Sequence, residues 1–283
     1  MKESGKGRIA LIAAAILWGM AGVCVKSITW NSMQLIASRS LLSIFVLADF
    51  KRSFKMRFSK QNLLGAAFQT ATGLLYVQSI KLTTAGSAIV LQYIAPILVF
   101  FYAVLFQHRK AKPMETLCAL MVFLGVVLSF ADSLDPTRIV GNLLGLASGV
   151  TFAAQIIVQS RADADSGDSL MLSCLMSLVI ALPFVLFGDA PQMDMKNIFW
   201  VLVLGIFQYG LANALFAIGI KRVDKVEGSL LLTIEPIFNP IPVAILCGEK
   251  MGTLALIGAA VVIAFVALYS VLPQLEARRK KGS

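Results

Sequence analysis

Stretches of about twenty mostly apolar residues recur along this chain, parted by short polar breaks, and this recurrence constrains the fold more than any other feature. A bilayer core about 30 Å thick takes roughly 20 apolar residues per helical span. Ten apolar runs are recognised, near 8–28, 33–50, 62–80, 84–106, 114–131, 140–159, 168–188, 197–219, 226–247 and 252–272. Ten spans use about 200 of the 283 residues and leave no room for a separate soluble domain. The composition agrees: 58 % of residues are hydrophobic and 14 % charged, against about half and about a quarter in soluble domains. A soluble enzyme of this length is therefore excluded. Breaks as short as Thr29–Ser32 make consecutive helices antiparallel neighbours.

The same composition limits the chemistry. His108 is the only histidine, so no histidine-based triad or multi-histidine metal centre can be built. Cys24, Cys118, Cys174 and Cys247 stand singly in apolar runs, a pattern for packing rather than for disulfides or a Cys-x-x-Cys site. No P-loop, no GxGxxG entering a helix and no EF-hand loop occurs. No cofactor, no metal and no catalytic group is expected.

The net charge of +10 is distributed by side. With the N-terminus in the cytoplasm, nineteen of the twenty-five basic residues fall in inner segments and four (Lys81, Arg138, Lys196 and Lys250) in outer ones. This bias predicts both termini cytoplasmic and an even number of spans. The surplus reads as an orientation signal in contact with anionic lipid, not as a nucleic-acid site. The first run follows basic residues as a signal peptide would, but it is about twenty residues long without a small-x-small cleavage site, and it is kept as a helix.

The two halves of the chain resemble each other. Leu75–Pro96 lies on Leu215–Pro236 without a gap, at an offset of 140 residues, pairing Ile80-Lys81 with Ile220-Lys221 and Pro96 with Pro236. Gly7–Lys26 lies on Gly141–Ser160 at an offset of 134, pairing Trp18 with Phe152. Further apolar helices surround Gly125 and Gly258. Residues 1–135 and 136–283 are thus read as two repeats of five spans each. An odd number of spans turns the second copy upside down, and inverted repeats mark secondary transporters with a site at the repeat interface near the midplane.

Trp18-Gly19, the stretch Leu232-Thr233-Ile234-Glu235-Pro236-Ile237 and Cys247-Gly248-Glu249 resemble the drug/metabolite transporter superfamily, EamA branch. The resemblance spans nearly the whole chain. It implies an all-α integral membrane fold of ten transmembrane helices in two inverted five-helix repeats. It also implies transport of small metabolites such as amino acids or quaternary amines, by exchange or proton coupling. Where the first repeat would carry an acidic match to Glu249, this chain has Gln107-His108-Arg109.

A charged side chain at mid-bilayer costs about 2.5–3.5 kcal/mol on insertion scales, so each one needs a reason. Glu235 lies mid-span, just before Pro236, with Asn239 a turn further and Pro240 and Pro242 beyond. Proline removes a backbone donor, so carbonyls between Thr233 and Phe238 are expected to lose partners beside that carboxylate. Glu235 is a candidate solute anchor or proton carrier; the other reading is a structural hydrogen bond to a neighbouring helix. Gln69, Gly73 and Tyr76 form one helical stripe, matched in the second repeat by Tyr209, Asn213 and Phe216. Helix six repeats the pattern with Ser148, Phe152, Gln155 and Gln159. These stripes are either cavity walls or helix–helix contacts, and Gly141-x-x-x-Gly145-x-x-x-Gly149 is a close-packing face.

Trp18, Gln92, Tyr93 and Gln208 complete the mid-span candidates, with aromatics able to hold an organic ammonium group or simply to pack. Trp30 and Trp200 are expected at the membrane interfaces. Arg39 is expected to snorkel outward, to pair within the bundle or to touch substrate or a gate, and Lys26 and Asp49 to snorkel. Glu227 and Glu249 are candidate gates or caps, and His108 sits on the cytoplasmic rim.

The expected substrate site is Glu235, Trp18, Gln69, Tyr76, Tyr209, Asn213, Gln92, Tyr93, Phe152, Gln155 and Asn239. One carboxylate among amides and aromatics favours an amine-bearing solute, a choline-like amine or an amino acid, over an anion. A phosphate-bearing solute such as a nucleotide sugar would need several basic residues at the cavity, and only Arg39 qualifies. A non-transporting membrane partner or sensor is the rival from another class. The partners expected are a small-molecule substrate and the lipid bilayer of a bacterial plasma membrane, with the chain a monomer or homodimer.

Overall fold

The computed structural model describes residues 2–132, 137–248 and 252–279, and every regular element among them is helical. In chain order these are α1 (Lys2–Trp18), α2 (Ala21–Ser27), α3 (Ser32–Lys51), α4 (Lys60–Leu82), α5 (Ala85–Gln92), α6 (Ala95–Leu105), α7 (Pro113–Asp132), α8 (Ile139–Gln159) and α9 (Ser166–Leu186). After these come α10 (Met195–Leu202), a π-helical segment (Val203–Leu211), α11 (Ala212–Ile220), α12 (Lys225–Leu231), a 3-10 turn (Leu232–Ile234), α13 (Glu235–Phe238), α14 (Pro240–Cys247) and α15 (Thr253–Arg279). Six helical stretches are long and apolar enough to cross a membrane: Ser4–Ser27, Ser32–Lys51, Ala85–Leu105, Ile139–Gln159, Ser166–Leu186 and Met195–Ile220; shorter apolar helices accompany them. Glu249 and Lys250 lie outside the described residues.

The bundle is built by close pairs. α4 packs along α8, α1 along α11, α3 along α9, and α7 along α15. Glycine permits the approach where backbones meet. A Cβ at Gly149 would fall 2.6 Å from the Gln92 carbonyl oxygen, and one at Gly125 2.6 Å from that of Gly258. The Gly141, Gly145 and Gly149 row thus faces α4 and α5 as a packing stripe. Large apolar side chains such as Phe45, Leu120, Val179 and Phe184 stand exposed around the outside, as a lipid-facing surface requires.

The loops gather at two ends. At one, Lys51 forms an ion pair with the buried carboxylate of Asp168. Asp168 also accepts from the Arg57 amide (3.2 Å), and the Asp165 amide donates to Asn62 Oδ1 (2.8 Å). Lys221 donates to the Arg161 and Ala164 carbonyls. Burial pushes the Lys221 ammonium below the usual lysine range, opposed by the nearby Asp165 and Asp163 carboxylates. Arg8 and Glu227 pair at 2.5 Å. At the other end, Lys26 donates to the Thr83 carbonyl (2.9 Å) and Lys81 to that of Ile28 (2.8 Å). Trp30 is not the interface anchor expected of it: it is 8 % exposed and its indole donates to the Gln192 carbonyl at 2.7 Å. A buried indole N–H needs an acceptor, and the loop after α9 supplies one.

Candidate substrate cavity

The middles of several helices leave a polar cavity of about 50 Å³, room for a few water molecules or a small solute. Trp18 comes from the end of α1, Arg39 from α3, and Gln69, Thr72, Gly73 and Tyr76 from α4. Gln92 ends α5, Phe152 and Gln155 come from α8, Gln208 and Tyr209 from the π segment, and Glu235 opens α13.

Proline explains the broken helix at Glu235. Pro236 has no N–H to give the carbonyl four residues back, that of Leu232. The chain tightens into a 3-10 turn there, and the Tyr93 hydroxyl lies 2.5 Å from that carbonyl oxygen and 2.9 Å from Glu235 Oε2. One hydroxyl proton cannot serve both acceptors at once. Pro96 breaks the matching helix in the same way: α5 stops at Gln92, the residue whose carbonyl Pro96 cannot serve, and α6 resumes at Ala95. Position 95, the counterpart of Glu235 at the 140-residue offset, carries no charge.

Arg39 forms another part of the wall. It is 4 % exposed, and its Nε and Nη2 are buried without a hydrogen-bond partner. The guanidinium carbon sits 4.3 Å from the centre of the Tyr209 ring, a cation–π contact. Gln69 fixes that ring by donating to its hydroxyl at 3.2 Å. The π segment brings Gln208 and Tyr209 inward. Gly205 and Gly210 let it press against Leu42 and Val46 of α3, and Ser43 donates to the Gly205 carbonyl at 2.7 Å. π turns recur at functional sites.

The apolar wall is aromatic. Trp18 meets Phe152 edge-on with ring centroids 6.0 Å apart, and Phe216 lies behind it at 5.3 Å. Polar atoms without partners cluster on the remaining walls: one atom each of Gln69 and Gln208, both amide atoms of Gln155, and the two Arg39 nitrogens. Buried polar groups ordinarily find partners. Such a cluster around one cavity is what a site for water or a polar solute requires.

Of the residues expected at the site, Trp18, Gln69, Tyr76, Gln92, Phe152, Gln155, Tyr209 and Glu235 line the cavity. Tyr93, Asn213 and Asn239 do not line it: Tyr93 touches Glu235 from behind, and Asn239 donates to the Tyr76 hydroxyl at 3.4 Å. Asn213 is fully buried with neither amide atom partnered. Arg39, Thr72, Gly73 and Gln208 are cavity residues that the expected set lacks. Thr72 carried no signal in the sequence beyond its place one residue before the Gly73 stripe position.

Apolar membrane helices bundled around a small, mid-bundle polar cavity define a multi-pass membrane transporter for small solutes. The chain belongs to the EamA-like transporter family, whose model matches residues 5–131 and 139–271. It is similar to the threonine/homoserine exporter RhtA of Escherichia coli strain K12, at 25 % identity over 268 residues covering 90 % of this chain and 88 % of the exporter. It is also similar to the inner membrane transporter YicL of Salmonella typhimurium strain LT2, at 23 % identity covering 93 % of this chain and 96 % of that one. A solved crystal structure shares the fold at a TM-score of 0.74 with 18 % identity, covering 94 % of this chain and 98 % of that chain.

Proposed function

We propose that this protein is a secondary transporter that carries small amine-bearing solutes, amino acids first among them, across the bacterial plasma membrane by alternating access. The observation that carries the reading is the mid-bundle cavity, where the Glu235 carboxylate faces aromatic rings and unpartnered amide groups. Threonine and homoserine, named for the exporters this chain is similar to, are amine-bearing solutes of small size.

Ten spans in two inverted repeats, residues 1–135 and 136–283, with both ends cytoplasmic, are part of the proposal. The helix pairing supports it. Exchanging the repeats turns the α1–α11 pair into α8–α4 and the pair of α3 with the π segment into α9–α4, and all four pairs occur. The detail agrees at single residues: a Cβ at Gly7 would meet Arg222, and one at its counterpart Gly141 would meet Leu82, the counterpart of Arg222. Such symmetry supplies two similar arrangements of one bundle, which alternating access needs. Glu235 would hold a proton in one half of the cycle and the solute's ammonium group in the other.

The test is flux of radiolabelled L-threonine, choline and putrescine into proteoliposomes, with and without an imposed proton gradient. Uptake of an amine-bearing solute by the wild type, reduced at least about tenfold in Glu235→Gln, is expected from loss of a charged contact. Absence of flux for every amine and amino acid, in protein that is folded and inserted, overturns the reading.

A further inference from the structure

We infer that the cavity recognises its solute as a zwitterion, with the carboxylate seated on Arg39 and the ammonium group at Glu235. This rests on the transport reading above and adds the half of the solute that Glu235 does not explain.

Arg39 is the anomaly. It lies mid-way along α3, too deep to reach either end of the bundle, and among the described residues it forms no ion pair. A guanidinium buried without partners is costly, and removing one side of a buried pair leaves that cost uncompensated. The face of the guanidinium is covered by the Tyr209 ring, while Nε and Nη2 on its edge have no acceptor. That edge is the part that grips a carboxylate through two parallel hydrogen bonds. Gly73 gives Nη2 the room it occupies, since a Cβ there would fall 2.5 Å from it, and the cavity that Arg39 lines holds the space for a carboxylate.

Glu235 lines the same cavity and is likewise 4 % exposed. The two opposite charges do not meet. Tyr76 lines the cavity together with both of them. A simple amine would satisfy Glu235 and leave Arg39 bare, and an anion would do the reverse. A small molecule carrying both charges satisfies both groups and is neutral overall, which suits a desolvated site. The cavity volume of about 50 Å³ restricts the side chain to a short one.

The experiment compares three probes on the full chain in detergent: L-threonine, its methyl ester, and 1-amino-2-propanol, which lacks the carboxyl group. Dissociation constants are read by calorimetry and by the rise in Tm with ligand. Wild type is expected to bind threonine roughly ten- to a hundredfold tighter than the other two, the worth of a charge-assisted hydrogen-bond pair. Arg39→Gln is expected to bind threonine no better than the ester. Should Arg39→Gln fail to give monodisperse protein, Gly73→Ala displaces the guanidinium and is expected to remove the same preference.

Equal binding of all three probes by wild type overturns the zwitterion and leaves amine transport standing. A preference for threonine that survives both Arg39→Gln and Gly73→Ala overturns the assignment to Arg39. Binding of none of the probes, with no flux of any amine, overturns the transport reading itself.

Discussion

Tyr93 is the side chain on which the broken helix depends. Its hydroxyl sits between the Leu232 carbonyl that Pro236 cannot serve and the carboxyl group of Glu235. Tyr93→Phe keeps the ring and removes only that oxygen, leaving the Leu232 carbonyl with the Glu235 amide N–H alone and the Glu235 carboxyl group without the hydroxyl. The expected cost is about 0.5–1.5 kcal/mol, the net worth of one hydrogen bond, which for a chain of this size lowers Tm by roughly 1–6 °C in a detergent melt. An unchanged Tm would mean that the hydroxyl is not the carbonyl's partner. Much at this scale was legible in the sequence. Glu235 stood out because a mid-span carboxylate is costly, and Gln69, Gly73 and Tyr76 because helical spacing puts them on one stripe. Arg39 was legible only as one of three alternatives. A basic residue early in an apolar run looks like one that snorkels to the surface, and only packing against Tyr209, a residue 170 positions away in the sequence, turns it inward. Trp30 misled for the same reason: its acceptor, the Gln192 carbonyl, lies in a distant loop.

Among the elements, the discontinuities matter more than the helices. Hydropathy reads 84–106 and 226–247 as single runs, yet each contains a break one turn before a proline. The prolines themselves made the breaks legible. The π segment Val203–Leu211 was not, since its only mark in the sequence is the five-residue spacing of Gly205 and Gly210, which by itself suggests no more than close packing. A double-mutant cycle tests the account of the proline break. Pro236→Ala restores an N–H that can reach the Leu232 carbonyl, so the loss on Tyr93→Phe should shrink in that background. A coupling of about 0.5–3 kcal/mol, measured from the four denaturation midpoints, is expected for groups sharing one acceptor. Strict additivity would separate the proline from the tyrosine and refute the shared carbonyl.

For the molecule as a whole, the cavity is useful only if the ties at its two ends can part in turn. The basic end is held by Asp168, a 2 % exposed carboxylate that accepts from both Lys51 and the Arg57 amide. The other end is held by lysines and an indole donating to backbone carbonyls, Lys26 to Thr83, Lys81 to Ile28 and Trp30 to Gln192. The ends therefore differ in part: the ion pairs of Asp168 with Lys51 and of Glu227 with Arg8 help to hold the basic end, beside the Lys221 bonds to the Arg161 and Ala164 carbonyls, whereas the three ties named at the other end all go to main-chain acceptors. Asp168→Asn removes the charge and keeps the shape, so it should loosen the basic end alone. Hydrogen exchange reads this directly. Amides in 52–59 and 160–168 are expected to exchange about tenfold faster, corresponding to roughly 1.4 kcal/mol of lost protection, while those in 187–197 stay unchanged. Faster exchange at both ends together would mean that they open as one unit. That behaviour belongs to global loosening rather than alternating access, and it would remove the mechanical basis of the transport cycle proposed for this bundle.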